Sequence, residues 1–252
     1  MGWFSMIRGL LMEALYPAQA NCMGCGSPAG ACDGWLCSTC ADILKPVKDL
    51  SGPRCPRCGR PLGEDVREGR ACRTCGDWPQ GLITAARFAY PYRRPVKGMI
   101  RRMKYQGVTR MADWMAEEML RTVTLELPGS FDVIVPVPMH KKRLKQRGVN
   151  QAAALARVLS YRSGVPCREA LRRVRDTTQQ ARLSAPQRRR NLEGAFAACE
   201  DLRGHRVLLV DDVITTGATA LSCARALRLA GAEDVLFIAL AGAIDQNPPQ
   251  QK

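Results

Sequence analysis

Four C-x-x-C pairs in the first third of the chain constrain its fold more than any other sequence feature. The pairs are Cys22/Cys25, Cys37/Cys40, Cys55/Cys58 and Cys72/Cys75. Two cysteines three residues apart on a turn can direct both sulfurs at one ion, and two such pairs make the four-thiolate tetrahedron that zinc prefers. We therefore expect two structural zinc sites; disulfides, the alternative, are typical of exported proteins.

The order of the pairs predicts how they combine. Sequential pairing joins the first pair to the second and the third to the fourth, and it closes shorter loops than a cross-brace does. One zinc is then held by Cys22, Cys25, Cys37 and Cys40, and the other by Cys55, Cys58, Cys72 and Cys75. The cross-brace stays open as the alternative. A glycine follows three of the pairs, at positions 26, 59 and 76, where a knuckle needs a positive φ. The two halves resemble each other loosely, which suggests a duplicated ribbon.

The 252-residue chain divides into regions of different pattern. In residues 1–20, apolar side chains recur at helical spacing, which predicts an amphipathic helix that packs on its own protein or meets a membrane or partner. Residues 21–80 form the predicted double zinc ribbon, held by metal in place of an apolar core. Residues 81–245 form the second domain, and residues 246–252 a disordered tail. No run approaches the roughly 20 apolar residues of a membrane span, and no export signal is evident, so we expect a cytoplasmic protein.

Alternating strand and helix patterns predict the fold class of the second domain. Strands are predicted at 82–90, 131–137, 205–212 and 234–242, and helices at 94–106, 109–123, 150–164 and 217–231. Short, continuous apolar runs are typical of strands that are covered on both faces. The pattern therefore predicts a parallel α/β sheet with right-handed crossovers. The polar, basic residues 177–194 are predicted to form a mobile loop.

The stretch VLLVDDVITTGATA, residues 207–220, carries the clearest chemistry. A buried strand brings Asp211 and Asp212 to the carboxyl edge of the sheet, where α/β proteins bind ligands. The turn Thr215–Thr219 offers hydroxyl groups, a glycine and the start of a helix, all of which suit a phosphate. Two acids beside a phosphate cradle, able to bind ribose hydroxyls or Mg²⁺, predict a ribose 5-phosphate ligand. The Walker pattern of P-loop NTPases is absent.

Positive charge is concentrated in the middle of the chain. Residues 86–190 contain 24 Lys and Arg against 7 Asp and Glu, whereas the whole chain has a net charge of +15. The cations cluster in three segments, 93–104, 141–147 and 172–190. This concentration predicts a partner rich in phosphate. Lys104 beside Tyr105 offers a cation next to a stacking surface, although both could equally serve for packing.

Several of these motifs, in this order, identify the chain as a member of the ComF/ComFC competence family. They are ALYPAQANCMGCG, RRMKYQG, VPVPMHKKRLKQRGVNQA, TTQQARLSAPQRRRNLEGAF and VLLVDDVITTGATA. The last resembles the phosphoribosyl pyrophosphate (PRPP) binding motif of type I phosphoribosyltransferases. The resemblance implies a double zinc ribbon followed by a type I phosphoribosyltransferase domain.

The resemblance also implies site residues. PRPP would be bound, together with Mg²⁺, by Asp211, Asp212, Val213, Ile214, Thr215, Thr216, Gly217, Ala218 and Thr219. A pyrophosphate loop would comprise Pro138, Met139, His140, Lys141, Arg143 and Arg147. Candidate contacts to nucleic acid are Lys104, Tyr105, Lys141, Lys142, Arg143, Arg147 and Arg188. Asp211 and Asp212 are the candidates for a catalytic role. His140 could act as an acid or base, but a plain polar contact is the favoured interpretation. A loop with Arg182 and Arg188 could close over bound pyrophosphate.

Three functions fit these features. The family implies a protein that binds PRPP and single-stranded DNA and acts in DNA uptake, with the uptake machinery at the inner membrane as a partner. The alternative is an active, Mg²⁺-dependent enzyme that transfers ribose 5-phosphate from PRPP to an unknown nitrogen acceptor. A PRPP-sensing regulator ranks last, because no helix-turn-helix is evident.

Overall fold

A computed structural model describes residues 21–27, 36–50, 52–62, 69–106, 110–175, 187 and 191–244. The predicted N-terminal helix and tail lie outside these residues, as does most of the predicted loop 177–194. The strands are β1 (Ala85–Pro91), β2 (Val133–Pro136), β3 (Leu171–Arg173), β4 (Phe196–Ala198), β5 (Arg206–Ile214) and β6 (Asp234–Gly242). The helices are α1 (Ser38–Ile43), α2 (Arg73–Gly76), α3 (Val96–Gln106), α4 (Arg110–Glu126), α5 (Lys141–Arg147), α6 (Gln151–Ser163) and α7 (Ala218–Leu229).

The predicted parallel α/β sheet is confirmed. Its four strands lie in the order β1-β6-β5-β2, and every neighbouring pair is parallel. The two central strands carry continuous apolar runs because helices or ribbon cover both of their faces. β3 and β4, which the sequence did not predict, form a separate antiparallel pair. Each has three residues, too few for a two-residue alternation to be recognised.

Side chains along the central strands alternate between two cores. Val207, Leu209 and Phe237 point to one face, where helix α7 and the second ribbon cover them. Leu208 and Ile238 point to the other face, which is covered by α3, α4 and α6. Because successive residues of a strand point to opposite faces, two adjacent residues of β5 must face different cores.

The second ribbon shares its core with the sheet. Cys55, Cys58, Cys72, Cys75 and Trp78 are buried in the same apolar cluster as the strands. Among them, Trp78 is only 3% exposed. Metal therefore is not the sole source of order in this ribbon, contrary to the expectation from composition, because burying a large aromatic side chain contributes roughly 2–3 kcal/mol by itself.

Helix α3 packs on the second face of the sheet and reaches its carboxyl edge through Lys104. It begins shortly after β1 ends, and the side chain of Lys104 near its last turn pairs with Asp212 of β5. β6 lies between β1 and β5, so α3 connects the end of β1 with a strand that is not its direct neighbour. This placement brings Lys104, the last cation of the first basic segment, beside the predicted phosphate site.

Candidate functional site

The eight paired cysteines form two groups that fit zinc. In each group the four sulfurs lie within 4.8 Å of one another, and the groups follow the sequential pairing. Sulfur–sulfur separations include 3.8 Å for Cys25 and Cys37 and 3.6 Å for Cys58 and Cys72. A tetrahedron with Zn–S bonds of about 2.3 Å has edges of about 3.8 Å, whereas a disulfide needs about 2.05 Å. The cysteine sulfurs are therefore placed to bind two structural zinc ions, each of which would join the two knuckles of one ribbon.

The two groups are built by the same local hydrogen bonds, as a duplication predicts. The backbone N–H of Cys37 donates to the Cys22 sulfur at 3.2 Å, and that of Cys72 donates to the Cys55 sulfur at 3.3 Å. Burial opposes ionisation of the Cys22 thiol, but hydrogen bonds from neighbouring backbone N–H groups outweigh it and lower its pKa to about 6. All four cysteines of the second group are buried, whereas Cys25 of the first group is exposed.

One detail of the knuckle prediction was wrong. Gly26 and Gly59 have positive φ values of 87° and 67°, as expected. Gly76 instead ends the short helix α2, which begins directly after Cys72. The second knuckle of this ribbon therefore continues into a helical turn, and helical backbone has a negative φ.

The two aspartates lie within β5 and not beyond its end. The strand continues through Val213 and Ile214 because β6 pairs with both of them. Asp211 and Asp212 consequently face opposite sides of the sheet. Asp211 faces the core that contains Cys223 of α7, and burial, followed by the Asp212 charge, raises its pKa well above the usual range. Asp212 faces α3 and forms an ion pair with Lys104.

The PRPP-like motif forms one wall of a cleft of about 410 Å³. Its lining residues are Tyr92, Lys104, Asp211, Val213, Ile214, Thr215, Thr216, Gly217, Ala218, Thr219, Ala220 and Phe237. Asp212 is not in the lining and reaches the cleft through its partner Lys104. Helix α7 begins after Gly217, which has no side chain to cap the helix, and the Thr216 hydroxyl accepts a hydrogen bond from Ala218 N–H at 3.4 Å. The start of α7 thus faces a space large enough for a small phosphorylated ligand.

Gly217 meets the second zinc ribbon. Its φ is 77°, and a Cβ atom there would collide with the Trp78 ring. Gly217 also lines the first cleft, so the predicted approach of a phosphate there stays a prediction, to which the structure adds the close approach of the ribbon. Trp78 is itself fixed, because Arg57 lies over its ring and donates to its carbonyl at 2.9 Å.

Gly217→Ala is therefore expected to destabilise the protein by about 2–4 kcal/mol, because left-handed strain and a clash in a packed core act together. Thermal unfolding measures the effect. The matched control is Gly148→Ala, where φ is 74° but no atom lies within 4 Å of a Cβ. Equal losses of stability in the two variants would exclude a contribution from the Trp78 contact.

The second predicted site segment forms a helix where a loop was expected. Lys141–Arg147 is α5, and its N-cap His140 accepts a hydrogen bond from Lys142 N–H at 3.4 Å. Gly148 ends the helix in the left-handed conformation. Five of its seven residues are Lys or Arg and only Leu144 is apolar, so the segment lacks the apolar periodicity that predicts a helix. His140 has a capping role, which agrees with its interpretation as a polar contact.

α5 lies at the same edge of the sheet as the aspartates. β2, which ends at Pro136, is the neighbour of β5, and Val137 N–H donates to the Val210 carbonyl at 2.9 Å. A second cleft, of about 360 Å³, follows this edge. Its lining includes the predicted residues Pro138, Met139 and Lys141, and it also includes Arg172 and Arg173. The structure thus brings the second basic segment and the start of the third together.

Some predicted site residues lie outside the part of the chain that the structure describes. Arg182 and Arg188 are not among the described residues, and the side chain of Tyr105 is not described either. Arg143 and Arg147 of α5 are partly exposed, and neither lines the two clefts. The PRPP-binding and nucleic-acid roles of all these residues stay predictions.

Sequence reasoning missed three residues near the site. Tyr92 follows β1 and lines the first cleft, while Arg60 and Trp78 of the second ribbon contact the Thr215–Thr219 turn. Trp78 could have been suspected, since it is a large apolar residue directly after a knuckle. Arg60 carried no signal, because its partner lies 155 residues away.

The fold and this edge define a phosphoribosyltransferase-type domain that carries a double zinc ribbon. Residues 105–252 match the family model "Phosphoribosyl transferase domain", and residues 11–76 match "Double zinc ribbon domain". The chain belongs to the ComF family, whose members unite these two parts.

Named relatives cover most of the chain. "DNA utilization protein YhgH" of Escherichia coli O6:H1 is 33% identical over 85% of this chain and 93% of its own length. "Competence protein F" of Haemophilus influenzae is 32% identical over 88% of this chain and 97% of its own. "Competence protein ComFC" of Bacillus subtilis is 29% identical over 77% and 78%, respectively. Within the described residues, no helix is both long and apolar enough to span a bilayer.

Proposed function

We propose that the protein binds PRPP with Mg²⁺ at the first cleft and handles single-stranded DNA during its uptake and use. One observation carries the proposal: a carboxylate and a hydroxyl-rich turn that opens a helix line the same cleft at the carboxyl edge of β5. These are the two chemical groups that a ribose 5-phosphate requires. Relatives named for competence and for DNA utilization support the cellular role.

Each part of the cleft would bind a different part of PRPP. The Thr215–Thr219 turn and the first N–H groups of α7 would hold the 5-phosphate, because a helix N-terminus carries partial positive charge. Asp211 and Asp212 would bind the ribose hydroxyls, directly or through Mg²⁺. Mg²⁺ prefers oxygen ligands and would neutralise the pyrophosphate. Lys141 begins α5 beside this edge and would contact the pyrophosphate end.

Lys104 gives the first cleft a specific charge arrangement. Its ammonium group neutralises Asp212, and both side chains are mostly buried, at 21% and 14% exposure. Mg²⁺ or a ribose hydroxyl at Asp212 would compete with this ion pair. The released ammonium group would then face the cleft and could bind a phosphate oxygen.

Calorimetry with Mg²⁺ and PRPP tests the proposal. Asp212→Asn and Asp211→Asn should each weaken binding by about 1.5–3 kcal/mol, the usual contribution of a hydrogen bond to a charged group. Asp113→Asn, an exposed acid of α4, is the control and should bind normally. Equal PRPP affinity in the wild type and the double Asn variant would refute this site.

The melting temperature of each variant distinguishes a loss of PRPP binding from misfolding. Because the pKa of Asp211 is raised in the folded state, its ionised form opposes folding above the pKa of the unfolded chain, near pH 4. Asp211→Asn should therefore keep or raise the melting temperature while it lowers PRPP affinity. Pyrophosphate release from PRPP, measured with candidate nitrogen acceptors, would identify the protein as an active transferase.

A further inference from the structure

Arg60 is a buried cation that joins the second ribbon to the candidate phosphate turn. The residue is 4% exposed and directly follows the knuckle glycine. Its guanidinium donates to the Thr74 hydroxyl at 2.6 Å and to the Thr215 carbonyl at 3.0 Å. Within the described part of the chain, Arg60 forms no ion pair, and its Nε atom has no hydrogen-bond partner. Its positive charge is therefore directed at the turn and not at a carboxylate.

The contact with Thr215 orients a hydrogen-bond donor. In a trans peptide, the C=O of one residue and the N–H of the next point in opposite directions. Since the Thr215 carbonyl points at Arg60 in the ribbon, the Thr216 N–H points away from the ribbon. Thr215 and Thr216 both line the first cleft. Arg60 thus holds a peptide plane in the orientation that an anion in this cleft needs.

Trp78 supports the same turn two residues further on. Its ring packs against Gly217, where a Cβ atom would collide with it. Arg57 of the Cys55/Cys58 knuckle holds the tryptophan in place, because it donates to the Cys75 carbonyl at 2.7 Å and to the Trp78 carbonyl. The turn is therefore held from behind by one polar and one apolar contact, both from the second ribbon.

We propose that Arg60 and Trp78 are positioning residues for the phosphate-binding turn, so that the second zinc ribbon is a structural part of the ligand site. This inference deepens the proposed function and rests on it. The first ribbon contacts α3 through Arg102 and makes neither of these contacts.

Arg60→Met tests the proposal with Mg²⁺–PRPP as the probe. It removes the donor while keeping most of the side-chain volume, and calorimetry should show about tenfold weaker binding, the effect of one hydrogen bond. Arg60→Lys should recover part of the affinity, because an ammonium group can still donate to the Thr215 carbonyl. Zinc content should be unchanged in both variants.

Arg54→Met is the matched control from the same ribbon. Arg54 pairs with Glu126 at 2.6 Å and donates to the Gly59 carbonyl, so its loss removes a ribbon contact to α4 but keeps the contacts of Arg60 and Trp78 with the turn. PRPP affinity should stay at the wild-type level. If Arg60→Met also binds PRPP like the wild type, or if Arg54→Met weakens binding equally, the positioning role is overturned.

Hydrogen–deuterium exchange separates this inference from the proposed function. Arg60→Met should speed exchange in the peptide that covers residues 213–220, whether or not PRPP binds. A wild type that does not bind PRPP would refute the proposed function, whereas unchanged exchange in the turn would refute the positioning role. If Arg60→Met does not fold, Trp78→Phe provides the same test, because the smaller ring loses its contact with Gly217 and should also loosen this peptide.

Discussion

Cys55→Ser should release one of two zinc ions per chain and abolish PRPP binding. Zinc binding contributes roughly 10 kcal/mol or more to the folding free energy of small zinc peptides. An ordinary substitution changes the free energy of unfolding by only about 1 kcal/mol. Cys55 and its three partners are buried in the core that covers the sheet, and their ribbon carries Arg60 and Trp78. Loss of this zinc should therefore disorder the phosphate turn. Elemental analysis, thermal unfolding and calorimetry measure the three consequences.

Cys22→Ser is the matched control, because Cys22 occupies the same place in the first ribbon. The Cys22 sulfur likewise accepts a hydrogen bond from a backbone N–H, that of Cys37. The Cys22→Ser variant should also release one zinc ion. The described residues of its ribbon are more exposed and make no contact with the turn, so PRPP binding should be largely retained. About zero zinc in the wild type, with oxidised cysteines, would contradict the metal assignment, and equal loss of PRPP binding in both variants would contradict the distinction between ribbons.

Neutralising α5 should greatly weaken binding of single-stranded DNA. Lys141, Lys142 and Arg143 begin this helix at the carboxyl edge, and Lys141 shares a cleft with Arg172 and Arg173. A flexible phosphate chain suits a groove lined by separate basic segments. Each phosphate neutralised on a single strand contributes about −0.7 to the slope of log K against log salt, so the triple alanine variant should flatten it by roughly 2. At 50 mM salt this corresponds to a loss of roughly a hundredfold or more in affinity.

Fluorescence anisotropy of a labelled oligonucleotide across a salt series measures this change. Lys45, Arg70 and Arg73 are exposed cations of the ribbons, and their triple alanine variant is a control with the same change in net charge. PRPP should compete with the oligonucleotide if the two ligands share the edge. Absent binding at low salt, or a slope that the α5 variant leaves unchanged, would remove the DNA-binding part of the proposal and leave the transferase.

Elements with a strong local pattern were predicted well. The strand at 234–242 has the predicted bounds, since its apolar run ends at clear polar and glycine positions. β5 ends two residues later than predicted because pairing with β6 continues past the aspartates. α5 was missed because a helix of mostly cationic residues shows no apolar face, although His140 and Gly148 at its ends are typical cap residues.

The sequence by itself determined the two cysteine groups, the parallel sheet and the position of the Asp211–Thr219 motif at its carboxyl edge. These features depend on patterns among residues that are close together in the chain, and such patterns can be read directly from the sequence. The tertiary structure alone decided which groups surround that motif. Arg60 and Thr215 are 155 residues apart, and the Lys104–Asp212 and Trp78–Gly217 contacts are equally non-local. Such contacts arise from how the ribbon and α3 pack against the sheet, and packing between distant segments leaves no periodic pattern in either of them.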